Sequence, residues 1–227
     1  MVRVRIEVFQ NSFFSKLIRS QRLICTVTFV LLVSTALAGY KSLKVKVNPA
    51  KTYPFHQSQG NVTIAVNPYE TDEKIKTAFD VKGMEKLGII PVNVIISNEG
   101  EDLISVSGQD VNLLDAKNQS IESTPTEEVV QLILNQGKEP SAPGRSRSPL
   151  PFPRKDSVRG DAFEIETDFT NKALKEARVT PKSTASGFVF FRLPSKQMKL
   201  SGYKVYIPEI KNLKTKQNLL FFEIEIK

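Results

Sequence analysis

The residue types that carry most protein chemistry are nearly missing from this chain. Its 227 residues include one cysteine, one histidine and no tryptophan. The cysteine, Cys25, lies in an apolar run near the N-terminus, so everything after that run has no thiol, no disulfide and no thiolate metal ligand. The histidine, His56, stands between Phe55 and Gln57 in a polar stretch. A Ser-His-Asp or Cys-His centre needs a histidine oriented by a third group, and none accompanies it, so His56 is expected to serve on the surface or in packing. Glycine-rich phosphate loops and the Asp-x-Asn-x-Asn-Gly calcium spacing are also absent. This inventory predicts no catalytic residue, no cofactor and no metal site.

Two acidic groups need separate weighing. Glu99, Glu101 and Asp102 follow Asn98 and surround Gly100, a composition that reads as a solvated hairpin turn. Glu164, Glu166 and Asp168 have a spacing that suits both a paired-carboxylate site and an ordinary charged face.

What is present is an export leader. Arg3, Arg5, Lys16, Arg19 and Arg22 precede an apolar run from Leu23 to Ala38 that ends in Ala36-Leu37-Ala38 and is followed by Gly39. A basic start, an apolar middle and small residues at the end make a signal peptide, with cleavage expected between Ala38 and Gly39. The run falls short of the roughly 20 apolar residues of a spanning helix. It also carries Thr26, Thr28, Ser34 and Thr35, so cleavage is expected over retention as an anchor, with no stable membrane span afterwards. Cys25 lies inside the run rather than after it, which argues against lipidation. Without residues 1–38, Lys and Arg fall from 32 to 27 and Asp and Glu from 24 to 23, leaving a net charge of +4 in place of +8. That excess supports solubility and mild attraction to anionic surfaces, not nucleic-acid binding.

Beyond the leader, residues 39–60 mix lysines with prolines and read as a mobile leader or a short strand at Leu43–Val47. Val62 to Val66 alternates as a strand that Pro68 ends. Thr71 caps a predicted helix over 72–79, and Gly88 stops a helical turn around Met84–Leu87. Ile89 to Ser97 is the strongest strand, with Pro91 near its start or facing an edge. Leu103–Val106 and Val111–Leu114 follow as strands, with a turn at 115–118. Thr124, Pro125 and Glu127 signal a capped helix that Gly137 stops.

Residues 138–160, rich in Pro, Ser and Arg, read as an extended or disordered linker. Arg145, Arg147, Arg154, Lys155 and Arg159 give that linker a possible weak contact with anionic surfaces. Residues 161–178 fit both strand and helix periods, and their Ala, Leu, Lys and Glu content favours helix. From Val179 the pattern is β again: Gly187–Leu193, Tyr203–Ile207 and an alternating C-terminal strand with one apolar and one charged face. Tyr69 and the phenylalanines of 188–191 could line a groove, but aromatic residues in strands are core by expectation.

Two stretches carry a family resemblance. Gly88-Ile-Ile-Pro-Val-Asn-Val-Ile-Ile-Ser-Asn98, with Leu103–Val106 and Val111–Asp115, is one; Val179-Thr-Pro-Lys-Ser183, with Gly187-Phe-Val-Phe-Phe191 and Leu193-Pro194, is the other. Together they resemble telokin-like immunoglobulin-type domains of exported bacterial proteins. Val62 to Phe79, with Val66-Asn67-Pro68-Tyr69, is similar to uncharacterised envelope proteins that add helices to such a domain. Lys182 stands where that pattern has glycine, and residues 122–177 form an insertion where a short connection would serve.

The resemblance and the alternating strands imply one mainly β, immunoglobulin-like antiparallel sandwich over 61–227, two sheets with peripheral helices. The function expected is non-enzymatic: a structural or interaction protein of the bacterial envelope or periplasm, with another envelope protein as partner. The alternative is a periplasmic accessory protein or chaperone that binds exported polypeptides by strand addition.

Overall fold

Alternating apolar residues dominate Ile89–Asn98 (β3), and every one of its ten residues is buried. A strand buried on both faces needs cover on both, and this strand organises the rest. The structure, a computed structural model, describes residues 39–135, 161–193, 199–219 and 221–227. The predicted signal peptide, its Ala38 end, the basic linker and Gly137 lie outside the described residues. The described residues from Tyr40 onward belong to one compact unit, Tyr40–Lys227.

β3 pairs antiparallel with Val62–Pro68 (β2) on one side and Ser183–Arg192 (β8) on the other, and Phe55–Gln59 (β1) pairs β2 to complete a four-stranded sheet. A second sheet joins Ile104–Ser107 (β4), Glu176–Val179 (β7), Ile210–Asn212 (β10) and Asn218–Leu219 (β11) in the order β11-β10-β4-β7. A third joins Asn112–Leu114 (β5), Ser120–Glu122 (β6), Lys204–Ile207 (β9) and Phe222–Glu225 (β12) in the order β12-β9-β5-β6. The chain is thus mainly β, as the alternation predicts, but its strands divide among three antiparallel sheets where two were expected.

One core runs through all three sheets. Ile90, Val92, Val94 and Ile96 share it with Ile104, Val106, Leu113, Val205, Ile207 and Phe222. On the opposite face of β3, Ile95 packs with Ala65 and Ala50 beneath Tyr53. Ser97 Oγ accepts from the Ala50 amide at 2.9 Å, which fixes the 3-10 turn Ala50–Thr52 there.

The stretch read as a leader is therefore built in. β1 has no apolar alternation, but an edge strand needs only backbone pairing, and all five of its residues pair with β2. Its outer edge meets β12 through side chains: Gln57 Oε1 accepts from the Glu223 amide at 2.9 Å, and Gln59 Nε2 donates to the Phe221 carbonyl at 3.1 Å. No strand forms at residues 43–47.

β2 ends at Pro68, as expected, and Pro68 makes its last pair, with Val92. Pro91 is tolerated because its nitrogen faces the margin where β2 stops, and the Tyr69 amide donates to its carbonyl at 2.8 Å. Helix Asp72–Ile75 (α1) is shorter than expected; Thr71 Oγ1 accepts from the Lys74 amide, and the chain then turns so that Phe79 can bridge Ser42. Helix Thr126–Leu134 (α2) starts one residue late with Pro125 as N-cap, because the Thr124 amide is engaged by the Phe190 carbonyl at 2.7 Å. Residues 161–178 split: helix Ala162–Lys172 (α3) stops where the Leu174 amide donates to the Phe188 carbonyl at 2.8 Å, and β7 follows. That tertiary bond overrides the helical composition of the segment.

Candidate functional site

The residues singled out by composition are scattered. His56 is exposed on β1, and its Nδ1 lies 2.7 Å from the Tyr53 carbonyl oxygen. The acidic turn is spent on separate lysines: Glu99 pairs with Lys51 at 2.7 Å, Glu101 with Lys182 at 2.8 Å and Asp102 with Lys214 at 3.0 Å. The Asn212 amide and Lys214 hold the Asp102 carboxyl below the usual carboxylate range. Tyr69 is core: it meets Phe188 edge-on at 5.1 Å. Phe188 packs on Phe79 at 4.9 Å, and Phe79 on Phe169 at 4.3 Å.

The Glu164, Glu166 and Asp168 group does not converge. On α3 the first two are exposed, whereas Asp168 is 4% exposed. Its carboxylate accepts from Tyr40 Oη at 2.5 Å, from the Ser42 hydroxyl and from Lys172 Nζ at 2.7 Å. Lys172 Nζ also donates to the Ala78 carbonyl at 2.6 Å and sits 5.0 Å from the Phe79 ring centroid. Burial, then the bond to Asp168, pushes the Tyr40 phenol far above its ordinary value. With its oxygens committed to three donors, Asp168 works as a clamp that ties residues 40–42 to α3.

A concavity lies elsewhere, in a place composition does not flag. A groove of about 810 Å³ opens where the end of β4, the following loop, the start of α2, the end of α3 and the outer edge of β8 meet. The Leu174 backbone forms part of its wall, packed against Gly108 and Gly187. Ser107, Thr124, Thr126 and Thr170 line it half-buried, and among the described residues their hydroxyls make no hydrogen bond. Asp110 and Glu127 line it exposed, without an ion-pair partner among the described residues.

The groove can therefore offer donors, acceptors and negative charge, and it contains no histidine or thiol to activate a nucleophile. A smaller pocket of about 310 Å³ lies between the turns 59–62 and 98–102, over Phe222. Among the described residues no helix is long and apolar enough to cross a membrane.

No family model and no curated protein matches the chain. Among solved structures, the yjhA protein from Bacillus subtilis is similar with a TM-score of 0.34 at 15% identity, covering 67% of this chain and 76% of that one. The "putative lipoprotein (ycdA)" of Bacillus subtilis subsp. subtilis str. 168 is similar with a TM-score of 0.36 at 11% identity. There the match covers 78% of this chain but only 39% of the other.

Proposed function

We propose that this chain is an exported, non-enzymatic interaction protein of the bacterial cell envelope, an immunoglobulin-like sandwich that uses the groove beside β8 as its recognition surface. The observation that carries the reading is the set of half-buried hydroxyls of Ser107, Thr124, Thr126 and Thr170, which line the groove without a partner among the described residues. Polar side chains in a concavity that the fold leaves unsatisfied are suited to a ligand or partner. Bond chemistry has little support: His56 is remote on an edge strand, and Asp168 is consumed by its own donors. Export rests on the leader pattern of residues 1–38 and its Ala38–Gly39 junction.

Strand addition to an accessory protein or chaperone has weaker support. The β8 edge is already bridged by Thr124 and Leu174, and the β1 and β12 edges meet through Gln57 and Gln59. β6, β7 and β11 remain outer edges of their sheets, but they are three, four and two residues long, short edges that offer little ladder.

The test is affinity capture from bacterial envelope extract with the wild type and Ser107→Arg, which plugs the groove. Recovery of one stoichiometric partner by the wild type alone supports the reading. Capture that is indifferent to Ser107→Arg, or turnover of a small molecule by purified protein, defeats it.

A further inference from the structure

We infer that residues 43–47 are a docking strand for an extended acidic segment of another polypeptide, which pairs with their backbone and sets carboxylates against Lys44 and Lys46. None of these residues lines the groove, so the inference stands apart from the reading above. Leu43-Lys44-Val45-Lys46-Val47 alternates apolar and charged residues with the period of a strand. Burial follows the pattern over its first four residues: Leu43 and Val45 are half-buried, Lys44 and Lys46 exposed. Val45 packs against the main core, which fixes the inward face. Both ends are held. Ser42 bridges Phe79 and bonds to Asp168; beyond Val47, the Asn48 amide donates to Tyr53 Oη at 3.2 Å and the Ala50 amide to Ser97 Oγ at 2.9 Å. Between these anchors the strand has no partner. Among the described residues, the backbone of Lys44, Val45, Lys46 and Val47 makes no hydrogen bond. Other alternating stretches, such as β3, β9 and β12, are paired in sheets. A strand pattern that the fold leaves unpaired is a conflict between local and global structure, and such conflicts collect at functional sites.

Charge names the occupant. Lys41, Lys44 and Lys46 are exposed and have no ion-pair partner among the described residues. Opposite charges across a strand pair stabilise it, and like charges oppose it. A second copy of the same segment, paired antiparallel about Val45, would set Lys44 against Lys46, so self-pairing is disfavoured. A strand with carboxylates at alternate positions meets both lysines instead. Its intervening apolar side chains extend the row of Leu43, Val45 and Val47 and cover Val47, which is 37% exposed. In such strand addition the backbone supplies affinity and the alternate side chains supply selection.

The experiment is a fluorescence-anisotropy titration of the intact protein with a labelled Glu-Val-Glu-Val-Glu-Val peptide. The comparisons are a Lys-Val-Lys-Val-Lys-Val peptide, the acidic peptide N-methylated at every backbone nitrogen and, by co-sedimentation, vesicles containing phosphatidylglycerol. The acidic peptide should bind saturably, and more weakly as salt rises. The double variant Lys44→Glu/Lys46→Glu should weaken it about fivefold or more, because two cross-strand contacts become repulsive. N-methylation removes the ladder donors and should weaken it by about as much. The Ser107→Arg variant should bind the peptide as the wild type does. No saturable binding by the wild type, or equal binding by the charge-reversed variant, overturns the inference. Equal binding of the N-methylated or the lysine peptide overturns it as well. Peptide binding that is lost in Ser107→Arg assigns the contact to the groove and overturns the docking strand while leaving the groove reading intact. Vesicle binding that needs Lys44 and Lys46, with no peptide binding, assigns the lysines to an anionic lipid surface and overturns it too.

Discussion

Gly187 lies directly against the backbone of Leu174: a Cβ built on the glycine would stand 2.6 Å from the Leu174 Cα and 2.8 Å from its nitrogen. Gly108 meets the same residue, and a Cβ there would come within 1.7 Å of the Leu174 carbonyl oxygen. Both obstacles are backbone, which cannot rotate aside. Gly187→Ala and Gly108→Ala are each expected to cost about 3 kcal/mol or more, a size reserved for displaced backbone or broken cores. Urea denaturation of each variant measures it, and a loss below about 1 kcal/mol in both would contradict the contact.

Lys182 tests the turn between β7 and β8. It holds a left-handed φ of +54°, while its Nζ donates to the Glu99 carbonyl at 2.6 Å and pairs with Glu101. The resemblance expects glycine here, and the backbone adopts the conformation that glycine favours. Lys182→Gly should melt at or above the wild type, because relief of about 1 kcal/mol of strain offsets the lost contacts. Lys182→Ala keeps the strain, loses the contacts and should melt lower. The order of the two melting temperatures decides the matter.

The clamp at Asp168 should be costly to break. Asp168→Ala leaves Lys172 half-buried without its counter-charge and frees Tyr40 and Ser42. A loss of about 3 kcal/mol is expected from an uncompensated buried charge. Equilibrium unfolding checks it, with Glu164→Ala on the exposed side of the same helix as the near-neutral control.

Alkaline stability follows from Tyr40. Its folded phenol is held well above the ordinary value of 10.0, so its contribution is fully present below that pH. As pH rises past about 10 the unfolded chain ionises while the folded one does not, and stability falls. Tyr69, raised by burial, acts in the same direction, whereas Lys74, lowered by burial, adds stability only as pH approaches 10.5. Unfolding free energies measured between pH 9 and 11 should drop more steeply for the wild type than for Tyr40→Phe.

Asn93 offers a test with the opposite sign. It is 1% exposed in the middle of β3, and its Oδ1 has no hydrogen-bond partner. An unpartnered buried carbonyl oxygen costs about 1–3 kcal/mol, and a valine of strand-forming shape removes the cost. Asn93→Val should therefore raise the urea midpoint. A lowered midpoint would show that the amide is engaged.

Where the sequence was readable, one physical signal did the reading. β3, β8, β9 and β12 alternate apolar residues because they border the core, and each is found close to its expected place. β1, β6, β7, β10 and β11 are not legible because their residues, such as His-Gln-Ser-Gln in β1 or Glu-Ala-Arg-Val in β7, are extended by their neighbours rather than by their own pattern. The helix after Thr124 was legible from Pro125 and Glu127, but its cap was not, because a distant strand occupies the Thr124 amide. The groove was hidden for a similar reason. Ser107, Thr124, Thr126 and Thr170 are unremarkable hydroxyls in separate stretches, and only the crossing of Leu174 past Gly108 and Gly187 brings their surroundings together. Asp168 did stand out by spacing, but only contact with Tyr40 and Ser42 gives it a role.

The glutamine seam between β1 and β12 has a temporal meaning. Gln57 and Gln59 find their backbone partners only at residues 223 and 221. A chain delivered N-terminus first thus carries the β1–β2 hairpin with an unfinished margin until residues 221–223 have arrived, more than 150 residues later.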